Sequence, residues 1–143
     1  MISNRQTIEK FYSAFQQLDA ATMASLYHPE ATFKDPVFGP LNRDEVVAMW
    51  LMLIERSNGN LQIEFSDILT SEEKGSAQWI ATYIFSATNR RVRNVIQAQF
   101  EFKNGLIYKH TDTFDLWKWT RMALGGKGVV LGWSSIVKNK IRN

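Results

Sequence analysis

The chain has 143 residues, 45% hydrophobic and 22% charged, the balance of a single soluble domain able to bury a sizeable core. Its net charge of +3 is matched by Lys138, Lys140 and Arg142 near the C-terminus, so the basic excess is largely a tail effect and says little about the domain. The absence of Cys excludes disulfides, thiol catalysis and thiolate metal sites, and no apolar run reaches the ~18 residues of a membrane span.

Arg5, Glu9, Lys10 and Asp19 interrupt any N-terminal apolar stretch, so no signal peptide is expected and the expected location is the cytoplasm. Ile8, Phe11, Phe15 and Leu18 recur at helical spacing and predict a helix over 4–18, with Ser3 and Gln6 as its capping box. Asp19 reads as the cap of a second helix to about Tyr27, stopped by His28-Pro29. A short strand, Ala31-Thr32-Phe33-Lys34, then runs into an Asp35-Pro36 turn followed by the apolar Val37 and Phe38. After the Gly39-Pro40 turn, Asn42 and Glu45 cap a third helix over 43–56.

From Leu61 the hydrophobic period changes to two. Further strands are predicted over 77–88, 92–103 and 106–117, with an Asn104-Gly105 hairpin between the last two. Helices followed by consecutive strands predict an α+β fold, three helices packed on a strongly curved, mostly antiparallel sheet. The domain is read as a single unit with its core at 4–117 and a C-terminal extension at 118–143. Where the strand pattern fails, Leu116–Leu124 reads as a helical turn, the following glycines as a joint, and Trp133–Ile141 as a basic helix. Trp117, Trp119 and Trp133 either form a lid or pack the extension onto the sheet.

Aromatic residues make up 13% of the chain, which points to an aromatic core or an aromatic-lined pocket. The expected lining is Phe15, Phe33, Phe38, Trp50, Ala98, Phe100, Tyr108 and Phe114. Asp35 sits where burial among Phe33, Val37 and Phe38 would raise its pKa and suit it to act as a general base. Equally, an Asp before Pro can simply bond its own turn. Alternation over 106–117 puts Tyr108, His110, Asp112 and Phe114 on one face, where His110 and Asp112 could shuttle a proton as a pair. The alternatives are a structural His–Asp bond or a face turned to solvent. Two His without a ligand spacing argue against a metal site. Arg90, Arg91 and Arg93 lack interleaved aromatics and read as a solvated hairpin tip, so no nucleic-acid partner is expected.

Phe11-Tyr12-Ser13-Ala14-Phe15, then Leu26-Tyr27-His28-Pro29-Glu30-Ala31-Thr32-Phe33-Lys34-Asp35-Pro36, and finally Phe100-Glu101-Phe102-Lys103-Asn104-Gly105 resemble the nuclear transport factor 2-like superfamily. The closest likeness is to SnoaL-like proteins and ketosteroid isomerases. The resemblance implies a cone-shaped fold, a homodimer through the outer sheet face, and a general base at Asp35, which matches the isomerases' Ala-Thr-x-x-Asp-Pro segment. The other two isomerase positions depart from the pattern: the Tyr falls on Phe11, with Tyr12 adjacent, and the strand Asp falls on Ala98.

Together these point to a cofactor-independent enzyme using acid–base chemistry (isomerase, cyclase or hydrolase) on a small hydrophobic molecule bearing a carbonyl or epoxide. Its catalytic candidates are Asp35, His110, Asp112 and Tyr12. The alternative is a non-catalytic module of the same fold that binds a small hydrophobic ligand or dimerises.

Overall fold

The structure, a computed structural model, describes residues 2–125; the expected basic helix, Trp133 and the Lys138–Arg142 tail lie outside the described residues. The helix α1 spans Asn4–Gln16 and α2 spans Ala20–Ser25. Strand β1 (Tyr27–Lys34), the two-residue β2 (Leu41–Asn42) and helix α3 (Arg43–Arg56) come next. Four long strands follow: β3 (Gln62–Thr70), β4 (Lys74–Phe85), β5 (Arg90–Lys103) and β6 (Leu106–Thr113). Helix α4 (Leu116–Leu124) ends the described chain.

The six strands form one curved, unclosed sheet in the order β2-β1-β6-β5-β4-β3. Neighbours are antiparallel except β1 and β6, which run parallel. This pairing is long-range in sequence and sets Phe33 beside His110. Both capping boxes expected from the sequence are formed, Ser3 with Gln6 and Asn42 with Glu45. They satisfy helix-end N–H groups that would otherwise have no partner.

Helix α1 buries Ile8, Phe11, Tyr12 and Phe15 against the sheet. Each such side chain contributes about 1.5–3 kcal/mol by leaving water. Its close seat on β4 depends on Gly75, where an added Cβ would come within 2.8 Å of Ile8 Cδ1. Helix α3 lies over β1, with Val46, Met49 and Trp50 inward.

Element ends shift by a few residues from the sequence reading, as where α1 stops at Gln16 and β4 spans Lys74–Phe85, and three differences bear on the site. Tyr27 begins β1 rather than ending α2, because its backbone is drawn into the ladder opposite Ile107. Strand β6 stops at Thr113, since Asp115 caps α4 by accepting from the Lys118 N–H. The third difference lies inside β6. Glu101 pairs with Lys109 but the next residue, Phe102, pairs with Ile107, so Tyr108 is an extra residue in the strand. Such a bulge changes which face later residues show. Ile107, His110 and Asp112 are therefore buried, while Tyr108 turns away and packs edge-on against His28. The expected pocket position of Tyr108 is thus corrected by the bulge.

Candidate functional site

A cavity of about 160 Å3 lies between α3, β4, β5 and α4. Its walls are mainly apolar, and among them are Phe15, Phe38, Trp50, Trp79, Phe114 and Trp119. Two carboxylates, Asp35 and Asp112, open onto it. Of the eight residues expected to line a pocket, Phe15, Phe38, Trp50 and Phe114 border this cavity. Ala98, Phe100 and Phe33 are buried in the core but do not line this cavity.

Asp35 is held in its turn by its own backbone. Oδ1 accepts from the N–H of Val37 at 2.8 Å and of Phe38 at 2.6 Å. Turn-forming and cavity-facing roles thus coincide in one side chain. Burial among apolar groups pushes its pKa from 3.8 up to about 6. The two N–H bonds oppose that rise, the charge of Asp112 adds to it, and His110 opposes it.

Asp112 is reached through a buried chain of hydrogen bonds. Trp50 Nε1 donates to the Tyr27 hydroxyl at 2.9 Å, and that hydroxyl lies 2.9 Å from His110 Nδ1. His110 Nε2 lies 2.9 Å from Asp112 Oδ1, which also accepts from Trp79 Nε1 at 3.3 Å. The proton positions follow by elimination. A carboxylate can only accept, so His110 carries hydrogen on Nε2. With the ring neutral, His110 Nδ1 then accepts the hydrogen of the Tyr27 hydroxyl, whose oxygen accepts from Trp50. Every group in this chain has a partner. The His110 ring sits between Phe33, Phe100 and Phe11, with centroids 4.9, 4.5 and 5.7 Å away, and does not reach the cavity. His110 thus touches the cavity only through Asp112.

Tyr12 lies fully buried behind the same wall, stacked on Phe65 at 5.6 Å. Its hydroxyl has no hydrogen-bond partner among the described residues. Burial first, then the charge of Asp112, hold its pKa well above the usual phenol value. Among the described residues no cluster of three His, Cys, Asp or Glu is placed to hold a metal ion.

Sequence reasoning missed Tyr27, read as a helix end, and the indole donors of Trp50 and Trp79. It also missed two polar residues of the cavity wall, Tyr83 on β4 and Asn94 on β5. Asn94 did carry a signal: it stands in phase with the inward Val92, Ile96 and Ala98, an amide where alternation calls for an apolar side chain. Of the expected tryptophan lid, Trp119 lines the cavity and Trp117 is exposed.

No helix among the described residues is long and apolar enough to cross a membrane. No curated protein sequence matches the chain. Solved structures with the same fold include Bal32a, from a soil-derived mobile gene cassette, at 22% identity and a TM-score of 0.74; the match covers 83% of this chain and 95% of that one. IdmH of Streptomyces antibioticus, described as a candidate polyketide cyclase, shares 18% identity over 87% of this chain and 100% of its own, with a TM-score of 0.72. An LEH-like epoxide hydrolase of M. tuberculosis shares 18% over 90% of this chain and 94% of its own, with a TM-score of 0.65. At these identities the likeness is one of fold. The family model of the SnoaL-like domain matches residues 8–110, and with the helices, the curved sheet and the cavity in place the chain belongs to the SnoaL-like family.

Proposed function

We propose that the protein is a small-molecule enzyme that moves a proton in this cavity, on an apolar molecule bearing a carbonyl or an epoxide. The observation that carries this reading is the pair of carboxylates on one mainly apolar cavity, one of them with its pKa raised to about 6. A group titrating there is present in both forms near neutral pH, so it can take a proton and give it back. Polyketide cyclases and epoxide hydrolases among the proteins of this fold lend support by analogy.

In this reading Asp35 is the proton acceptor. With a ketone it takes a proton from the carbon beside the carbonyl; the electron pair moves onto the carbonyl oxygen, and Asp35 returns the proton to carbon. With an epoxide it takes a proton from water as the water oxygen bonds to carbon and the ring C–O bond breaks, and Asp35 then gives that proton to the freed alkoxide oxygen. Asp112 stays in the wall, held by His110 and Trp79, and its charge helps keep Asp35 protonated up to about pH 6. His110 and Tyr27 act as positioning residues, since both ring nitrogens of His110 are engaged within the wall.

The test is a panel of single-ring ketones, followed by hydrogen–deuterium exchange, and of epoxides such as styrene oxide, followed by diol formation. Asp35→Asn keeps an oxygen for the Val37 and Phe38 N–H groups but cannot act as a base, and turnover should fall by roughly 100-fold or more. Unchanged turnover in Asp35→Asn would sink the assignment. The Asp35 turn bonds also favour a second reading, a ligand-binding module without turnover. An inert panel together with a hydrophobic molecule retained in native mass spectrometry would establish that one instead.

A further inference from the structure

In the buried chain from Trp50 to Asp112 every group has a hydrogen-bond partner, whereas the cavity wall on β4 and β5 leaves hydrogen-bonding capacity unused. Asn94 is 7% exposed, and its side-chain amide makes no hydrogen bond to any described residue. Tyr83 accepts from Trp119 Nε1 at 2.8 Å, while its own hydroxyl hydrogen has no acceptor among the described residues. Burial chiefly, offset in part by that indole bond, puts its pKa at about 12, so Tyr83 keeps its hydrogen throughout the physiological range.

These two groups are neighbours. Asn94 pairs with Ala81 and Tyr83 pairs with Val92, so the two lie diagonally across adjacent strands, within reach of one another's side chains. Both face the cavity. The Asn94 residue is nearly buried, yet its amide is not among the fully enclosed polar groups and so is open to the cavity, where a ligand or water can meet it. The position is also specific. Asn94 stands four residues along β5 from Ala98, the residue paired with Asp112, which is about 13 Å at strand spacing. Asp35 lines the same cavity as Asn94, Tyr83 and Asp112.

We infer that the Asn94 amide and the Tyr83 hydroxyl form a two-donor cradle for a neutral acceptor oxygen, the carbonyl or epoxide oxygen of the ligand. This rests on the reading of the cavity as the ligand site, and it supplies from β4 and β5 the electrophilic donors missing at Phe11 and Ala98. The cavity volume of about 160 Å3 is close to the ~150 Å3 that admits benzene, so the group held here is a single ring or a chain of similar bulk. Water excluded from such a site strengthens both donors, and charge growing on the oxygen as Asp35 works would strengthen them further.

The experiment compares two probes of nearly the same shape, acetophenone and cumene, by titration calorimetry or ligand-observed NMR. The expected result is a preference of the native protein for the ketone, several-fold to about tenfold per donor. Tyr83→Phe and Asn94→Leu should each remove part of that preference while leaving cumene affinity unchanged or higher. A carbonyl carbon label on acetophenone should shift downfield on binding to the native protein and less so in each variant. Equal affinity for the two probes, failure of both to bind, or a ketone preference that survives in the double variant overturns the cradle. Asn94→Leu gives a second check, because losing an unpartnered amide should hold the thermal midpoint or raise it by a few degrees. A fall of several degrees would make Asn94 structural and overturn the proposal. These readouts need no turnover, so an inert protein that still prefers the ketone would refute the catalytic reading and keep the cradle.

Discussion

Two polar regions of this molecule sit within one aromatic interior and behave oppositely. On the β1–β6 side, Trp50, Tyr27, His110, Asp112 and Trp79 join end to end, and every donor finds an acceptor. On the β4–β5 side, Asn94 and Tyr83 face the cavity with hydrogen-bonding capacity to spare. A satisfied network fixes geometry, and an unsatisfied one waits for a partner. The difference separates the part of the site that shapes it from the part that would read a ligand. Asp35 shares both characters, engaged by its turn through Oδ1 and lining the cavity.

The largest expected effect comes from breaking the satisfied side. His110→Ala removes a buried ring and leaves the Tyr27 hydroxyl and Asp112 each short of a partner. The cost should be about 3–5 kcal/mol, or a fall in thermal midpoint of roughly 10–15 °C, read by urea and thermal unfolding. A loss below about 1 kcal/mol would mean that the chain from Trp50 to Asp112 does not stiffen the wall.

Asp35→Asn should move stability the other way. The folded pKa of about 6 lies above the unbound value of 3.8, so the native state holds its proton more tightly than the unfolded chain. Stability on this account falls as pH rises from about 4 to 6, and above that window the charged carboxylate costs on the order of 3 kcal/mol. The asparagine variant escapes that cost. It should be the more stable form at pH 7 and level with the native protein near pH 4, as followed by unfolding at both pH values. The native protein's kcat/KM should fall on the acid side with an apparent pKa near 6. A variant of equal or lower stability at pH 7 would show that the turn bonds, rather than desolvation, dominate at Asp35.

The smallest effect is expected at Tyr108, which the bulge has turned out of the interior. Tyr108→Ala gives up an edge contact with His28 and the Lys103 ammonium 5.0 Å from its ring. It should cost less than about 1 kcal/mol and leave ligand binding unchanged. A large loss of binding would place Tyr108 back in the site.

The fold was legible in the sequence because its signals are local. Helical spacing from Ile8 to Phe15, the two capping boxes and the Asn104-Gly105 turn each need only a few neighbouring residues. Asp35 and Asp112 were legible as polar residues in apolar settings. What escaped was everything that depends on distant pairing. Tyr27 reaches His110 only because β1 runs parallel to β6, a contact 83 residues apart in sequence. Nor does alternation alone reveal a bulge, so Tyr108 was placed with His110. Tyr83 and Asn94 look ordinary one strand at a time and become a pair only once β4 and β5 are in register.

The extra residue in β6 has a wider consequence. Along a strand, odd and even positions are the only two addresses, and a single insertion reverses them for everything that follows. Because the reversal falls at Tyr108, the same strand can give Ile107 to the packing beneath the helices and still deliver His110 and Asp112 to the interior. The two halves of β6 thus keep separate parity. Changes in the half that docks the helices can accumulate without turning the carboxylate around, and the acid inside this fold depends on the count from the bulge onward, from Lys109 to Asp112.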